Sequence, residues 1–112
     1  MEKAQQLSEK DFFYFSSQLK TAAMNQVKLR IFGNVQGVFF RASTQEKARE
    51  LGLKGWVKNE ADGSVTAVAQ GDAEAVKTLV KWCHEGPPQA DVSRVEIEAH
   101  AGGSFDDFSI AH

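Results

Sequence analysis

Asp62-Gly63 lies between two runs suited to strands, LKGWVKN before it and SVTAVAQ after it. A tight hairpin needs residues that accept positive φ at its corner, and this dipeptide supplies them. Two antiparallel strands joined by EADG are therefore expected at residues 53–70. Such a pair is only marginally stable in water by itself, so the segments on either side must supply elements that cover it.

Those segments carry clear periodicities. Upstream, VKLRIF alternates Val27, Leu29 and Ile31 against Lys28 and Arg30, the pattern of a strand with one buried face. GNVQGVFF follows as a loop, and residues 41–51 read as a helix with Thr44, Ala48 and Leu51 on one face and Gly52 placed to end it. Downstream, Asp72 is a natural N-cap for AEAVKTLVKWCHE, in which Val76, Leu79, Val80 and Cys83 form an i, i+3, i+4, i+7 stripe. Gly86-Pro87-Pro88 stops that helix. DVSRVEIEA alternates through Ser93, Val95 and Ile97 as a fourth strand, and FDDFSI can add a short edge strand. The order β-α-β-β-α-β is the split βαβ arrangement of an α+β, ferredoxin-like sandwich, with two helices on one face of a four-stranded antiparallel sheet.

Composition narrows the function classes. A chain of 112 residues, 42% hydrophobic, has the size and make-up of one globular domain. Its net charge of −2, with Lys and Arg interspersed among Asp and Glu, argues against nucleic acid as a partner. A single cysteine, Cys83, cannot form an internal disulfide, and the chain shows neither a signal-peptide pattern nor an apolar run of about 20 residues, so a cytoplasmic protein without a membrane partner is expected. Cys83 falls on the apolar stripe of the second helix, and His84, His100 and His112 lack the spacing of metal ligands, so neither a thiol nucleophile nor a metal is expected.

Residues 1–25 differ from the rest and are read as an N-terminal extension, with residues 26–112 forming the domain. Within the extension, Phe12, Phe15, Leu19 and Ala22 recur at helical intervals after Ser8 and Asp11, which suits an amphipathic helix over residues 9–22. Three readings stand: a membrane- or partner-docking helix, an accessory segment covering apolar surface, or residues dispensable to a fold that starts near Met24. A monomer is expected, with oligomerisation through this helix as the alternative.

Two clusters carry potential chemistry. Gly33 and Gly37 flank a strand-to-helix loop, where backbone N–H groups lack helical acceptors and the helix dipole favours an anion. This is either turn chemistry or a phosphate-holding loop. Arg41, just after it, could return a planar guanidinium to the same anion or simply be solvated. In the second cluster, GWVKNEADGSV, Asn59 ends a strand. It is either a turn-former or an uncharged amide that orients a water without repelling a dianion.

GNVQGVFFR resembles the acylphosphatase signature G-x-V-Q-G-V-x-F-R at every specified position, and GWVKNEADGSV resembles the second signature of that family. The resemblance runs over residues 27–110 and includes QGD and GPPQADVSRV. It implies an enzyme that hydrolyses the carboxyl-phosphate bond of small acyl phosphates without metal or other cofactor. It further implies that Arg41 binds the phosphoryl group, that the loop (Gly33, Asn34, Val35, Gln36, Gly37, Val38 and Phe39) cradles it through backbone N–H groups, and that Asn59 positions the attacking water. Gln36 and Val38 would act through their backbones. Family members often finish on a basic or aromatic residue, and that end can pack near the phosphate-binding arginine; this sequence ends FSIAH, so the resemblance leaves open whether its end helps to hold Arg41. Two alternatives stand beside the enzyme: a non-catalytic phosphate-binding or regulatory module, and an RNA-binding module of the same fold using Phe39 and Phe40 as stacking platforms.

Overall fold

The computed structural model describes residues 25–100 and 102–112, so the helix expected over residues 9–22 lies outside the described residues. The chain forms β1 (Asn25–Asn34), α1 (Phe40–Glu50), β2 (Lys54–Asn59), β3 (Val65–Gly71), α2 (Ala73–Cys83), β4 (Asp91–Ala99) and β5 (Phe108–Ala111). The sheet order is β4-β1-β3-β2-β5. The first four in this order, β4, β1, β3 and β2, are antiparallel neighbours, as expected for the ferredoxin-like sandwich. Among the described residues β5 adds a fifth strand at the edge, where FDDFSI allows one, and it pairs parallel to β2.

Register explains how the alternating pattern becomes a core. Ile97, Leu29, Ala67, Val57 and Ile110 stand opposite one another in a row that crosses all five strands. Leu29, Ala67 and Val57 are fully buried, together with Val27, Ile31, Val65 and Ala69 on the same face. Helix α1 packs against β2 and β5, α2 against β1 and β3, and the helices touch each other. The α2 stripe of Val76, Leu79, Val80 and Cys83 is wholly buried, and the Asp72 carboxylate accepts hydrogen bonds from the N–H groups of Glu74 and Ala75 at the helix start. In α1, Thr44 and Ala48 are buried as expected. Leu51 lies past the last helical residue and is only partly covered, and Phe40 fills the space at the other end of the helix.

Two local expectations change. Between β1 and β4 the register shifts, Phe32 pairing with Arg94 and Gly33 with Val92, so Ser93 is an extra residue on β4. The bulge puts Val92 on the same face as Val95 and Ile97, and Ser93, expected to alternate with them, is exposed. In the hairpin, only Gly63 of the Asp62-Gly63 pair takes positive φ, at 94°. Asp62 contributes its carboxylate instead, accepting from the Ser64 N–H at 2.9 Å and the Ser64 hydroxyl at 2.6 Å.

Candidate active site

β1 continues through Asn34, two residues further than the alternation of VKLRIF indicates. Gly33 therefore sits in the strand rather than in the loop. A Cβ there would lie 2.2 Å from the Asp91 carbonyl oxygen and 2.7 Å from the Ser93 nitrogen, so glycine is required by the close approach of β4 at its bulge. Asn34 pairs with Asp91 across the same strands.

The loop proper spans residues 35–39 and is pinned from below by Val35 and Val38, both buried. Gly37 takes φ 76° with open space where a Cβ would be, so its requirement is conformational. Phe39 adopts the left-handed region as well, at φ 67° and ψ 23°, and it is the N-cap of α1. This conformation is unfavourable for a residue with a side chain. It turns the chain sharply, so that Phe39 is 72% exposed while Phe40 is buried.

The helix begins without the usual polar cover. Phe39 supplies no side-chain cap, and the first turn holds no acidic residue. The Ser43 N–H reaches the Phe39 carbonyl at 3.0 Å as the first intrahelical bond. The N–H groups of Phe40, Arg41 and Ala42 precede it and have no acceptor within the helix. Their dipoles add to the positive end of α1.

These groups open onto a concavity of about 410 Å³, lined by Val35, Gly37, Phe39, Phe40, Arg41, Ala42, Asn59, Ile110 and His112. Among the described residues, no carboxylate side chain belongs to this lining and none forms an ion pair with Arg41. No described side chain around the guanidinium thus neutralises its charge. Asn59, the last residue of β2, faces the same space from the opposite strand end. An open helix N-terminus, a guanidinium without an ion-pair partner among the described residues and a neutral amide around one concavity suit a compact dianion.

Of the residues singled out in the sequence, Val35, Gly37, Phe39, Arg41 and Asn59 line this concavity, and Gly33, Asn34, Gln36 and Val38 do not. Gln36 turns its side chain away to the β2–β3 hairpin, donating to the Glu60 and Ser64 carbonyls at 2.8 and 2.9 Å. No local pattern hints at that reach, which depends on the sheet bringing residues 24 and 28 positions apart together. Ile110 and His112 likewise carry no motif that marks them. They arrive through β5, whose start is tied to α1 by an Arg49–Asp107 ion pair at 2.7 Å and by a hydrogen bond from Gln45 to the Phe108 carbonyl at 3.0 Å. Asp107 is held below its usual pKa by the Arg49 guanidinium and the Phe108 N–H.

The family model that matches this chain is Acylphosphatase, over residues 27–110. The acylphosphatase of Rubrobacter xylanophilus is 58% identical over 73 residues, 65% of this chain and 66% of that protein. The acylphosphatase of Marinobacter nauticus is 50% identical over 90 residues, 80% of this chain and 98% of that one. Among solved structures, an acylphosphatase from Coxiella burnetii superposes with a TM-score of 0.76 at 41% identity, over 85% of this chain and 99% of that one. The helix-start loop and all of its concavity but His112 lie inside the matched residues, and the chain belongs to the acylphosphatase family.

Proposed function

We propose that the enzyme hydrolyses small acyl phosphates by a metal-independent route in which Arg41 and the loop N–H groups hold the phosphoryl group and Asn59 orients the water. The observation that carries this reading is the concavity that joins an uncapped helix start, Arg41 and Asn59, with no carboxylate side chain among the described residues that line it. Cys83, single and buried, suits a reducing compartment, and we assign the enzyme to the cytoplasm as a monomer.

The chemistry asks little of side-chain acids. The water oxygen attacks phosphorus, the bond between phosphorus and the acyl oxygen breaks, and its electron pair leaves on the carboxylate. A carboxylic acid of pKa roughly 4 departs as a stable anion near neutrality, so no proton donor is needed at the leaving oxygen. The proton released by the water ends on a phosphate oxygen, giving dihydrogen phosphate and a carboxylate from the acyl phosphate dianion. Phosphoryl transfer has a loose transition state with charge spread over the equatorial oxygens, which fixed dipoles and one guanidinium stabilise. An amide is a poor base, so Asn59 contributes orientation, accepting from or donating to the water.

The reading is tested with benzoyl phosphate in the presence of a chelator. Phosphate release should continue undiminished, and a rate equal to spontaneous hydrolysis would overturn it. Arg41→Ala should weaken competition by inorganic phosphate and lower turnover by about 10²-fold or more. Asn59→Ala should lower turnover with phosphate affinity nearly intact. Equal phosphate competition before and after Arg41→Ala would remove the clamp assignment.

A further inference from the structure

The two halves of the site come from distant segments of the sequence, and one side chain joins them. The single Nε2 of Gln36 donates to the Glu60 carbonyl at 2.8 Å and to the Ser64 carbonyl at 2.9 Å. Both donors of the amide NH₂ are thereby used. The two carbonyls stand at the two ends of the turn: Glu60 follows Asn59, and Ser64 precedes Val65, the residue paired with Asn59. The Glu60 N–H closes the same turn onto the Ser64 carbonyl at 2.8 Å. Gln36 is half-buried, and its neighbours Val35 and Val38 are anchored in the core, so the bridge runs from a fixed loop to the strand end that carries Asn59.

We infer that Gln36 is a positioning residue whose side chain sets the placement of Asn59 relative to the phosphate-holding loop. The inference rests on the proposed role of Asn59. The loop keeps its own shape through Val35, Val38 and Gly37, so loss of the bridge leaves the anion cradle in place. It frees the strand end opposite, and displacement of a water-orienting group by about an ångström is enough to cost one to two powers of ten in rate.

A second brace shows what a purely structural tie would look like. Arg30 holds the same hairpin from β1, through Nη2 to the Asp62 carboxylate at 2.9 Å and Nε to the Ser64 hydroxyl at 3.2 Å. Its hydrogen bonds to the turn are to side chains, and it does not line the concavity. Arg30→Met is therefore the control: it loosens the hairpin but leaves the backbone beside Asn59 bridged.

The test is a mutant cycle read by steady-state hydrolysis of benzoyl phosphate and inhibition by inorganic phosphate. Gln36→Met keeps the length of the side chain and removes both donors. It should lower kcat about tenfold and leave the phosphate inhibition constant within about twofold. In the Asn59→Ala background the same change should alter kcat by less than about twofold, because the residue it positions is gone. Arg30→Met should leave kcat within about twofold of wild type. Gln36→Asn retains the amide but is one methylene too short to reach, so it should match Gln36→Met and keeps the test decisive if the latter fails to fold. An unchanged kcat in either Gln36 variant would overturn the inference, as would a full tenfold loss repeated in the Asn59→Ala background. A wild-type kcat in Asn59→Ala alone would withdraw the role of Asn59 itself, a failure distinct from that of the bridge.

Discussion

The rings of Phe40 and Trp82 meet at 53° with their centroids 5.7 Å apart. This contact joins the first residue of α1 to the last turn of α2, so the helix start that carries Arg41 is fastened to the interior one residue before the guanidinium. Gly86 completes the fit, since a Cβ there would come 2.5 Å from the Phe40 ring. Phe40→Ala should destabilise the fold by about 3–5 kcal/mol in urea unfolding, the usual cost of removing a fully buried aromatic ring. Turnover should fall in the fraction that remains folded, because the helix start loses its anchor.

Phe39 is placed in the opposite way. It is exposed and holds φ 67°, a conformation that costs a non-glycine residue about 1–2 kcal/mol. Phe39→Gly removes that cost with little loss of packing, and the greater freedom of glycine in the unfolded chain takes part of the gain back. A net stabilisation of about 0.5–1 kcal/mol is expected by urea titration. A destabilised variant would show that the ring makes contacts worth more than its exposure indicates.

The hairpin gives a pH-dependent signature. Hydrogen bonds from Ser64, followed by the charge of Arg30, hold the Asp62 carboxyl below its usual value of 3.8. A depressed folded pKa contributes stability that is present above the unfolded value and lost as pH falls through the folded one. Wild type should therefore melt above Asp62→Asn at about pH 6, and the gap should narrow steadily from about pH 4 downward. A gap of constant size across that range would exclude the carboxylate charge as its source.

Cys83 should be chemically silent. Burial pushes its thiol up to about 12, so almost no thiolate exists at about pH 8. The native protein should not react with a disulfide reagent at that pH over a period in which the urea-unfolded chain reacts fully.

Much of the frame is legible in local pattern. The stripe on α2, its Asp72 cap and the alternation of Val27, Leu29 and Ile31 each depend on neighbours within a few residues, and the structure contains all three. The parallel pairing of β5, the bulge at Ser93 and the bridge from Gln36 depend on which distant strands become neighbours. Gly33 is instructive: its sequence context suggests backbone freedom, which it uses at φ 125°, but its strand neighbours also leave no room for a side chain. Arg41 and Asn59 can be singled out by residue type and motif. That they face one concavity with Ile110 and His112 emerges only from the sheet order.

The extra residue at Ser93 has a consequence at the rim of the molecule. Among the described residues β4 and β5 are the two outer strands, and an outer strand can template the backbone of another chain. On β4 the bulge interrupts the ladder and sharpens the twist, and the exposed Arg94, Glu96 and Glu98 place charge along the remainder of the strand. β5 is four residues long, too short to offer much of a ladder. The same irregularity that restores Val92 to the interior thus denies an incoming strand a flat edge, and protects the native protein against edge-to-edge aggregation.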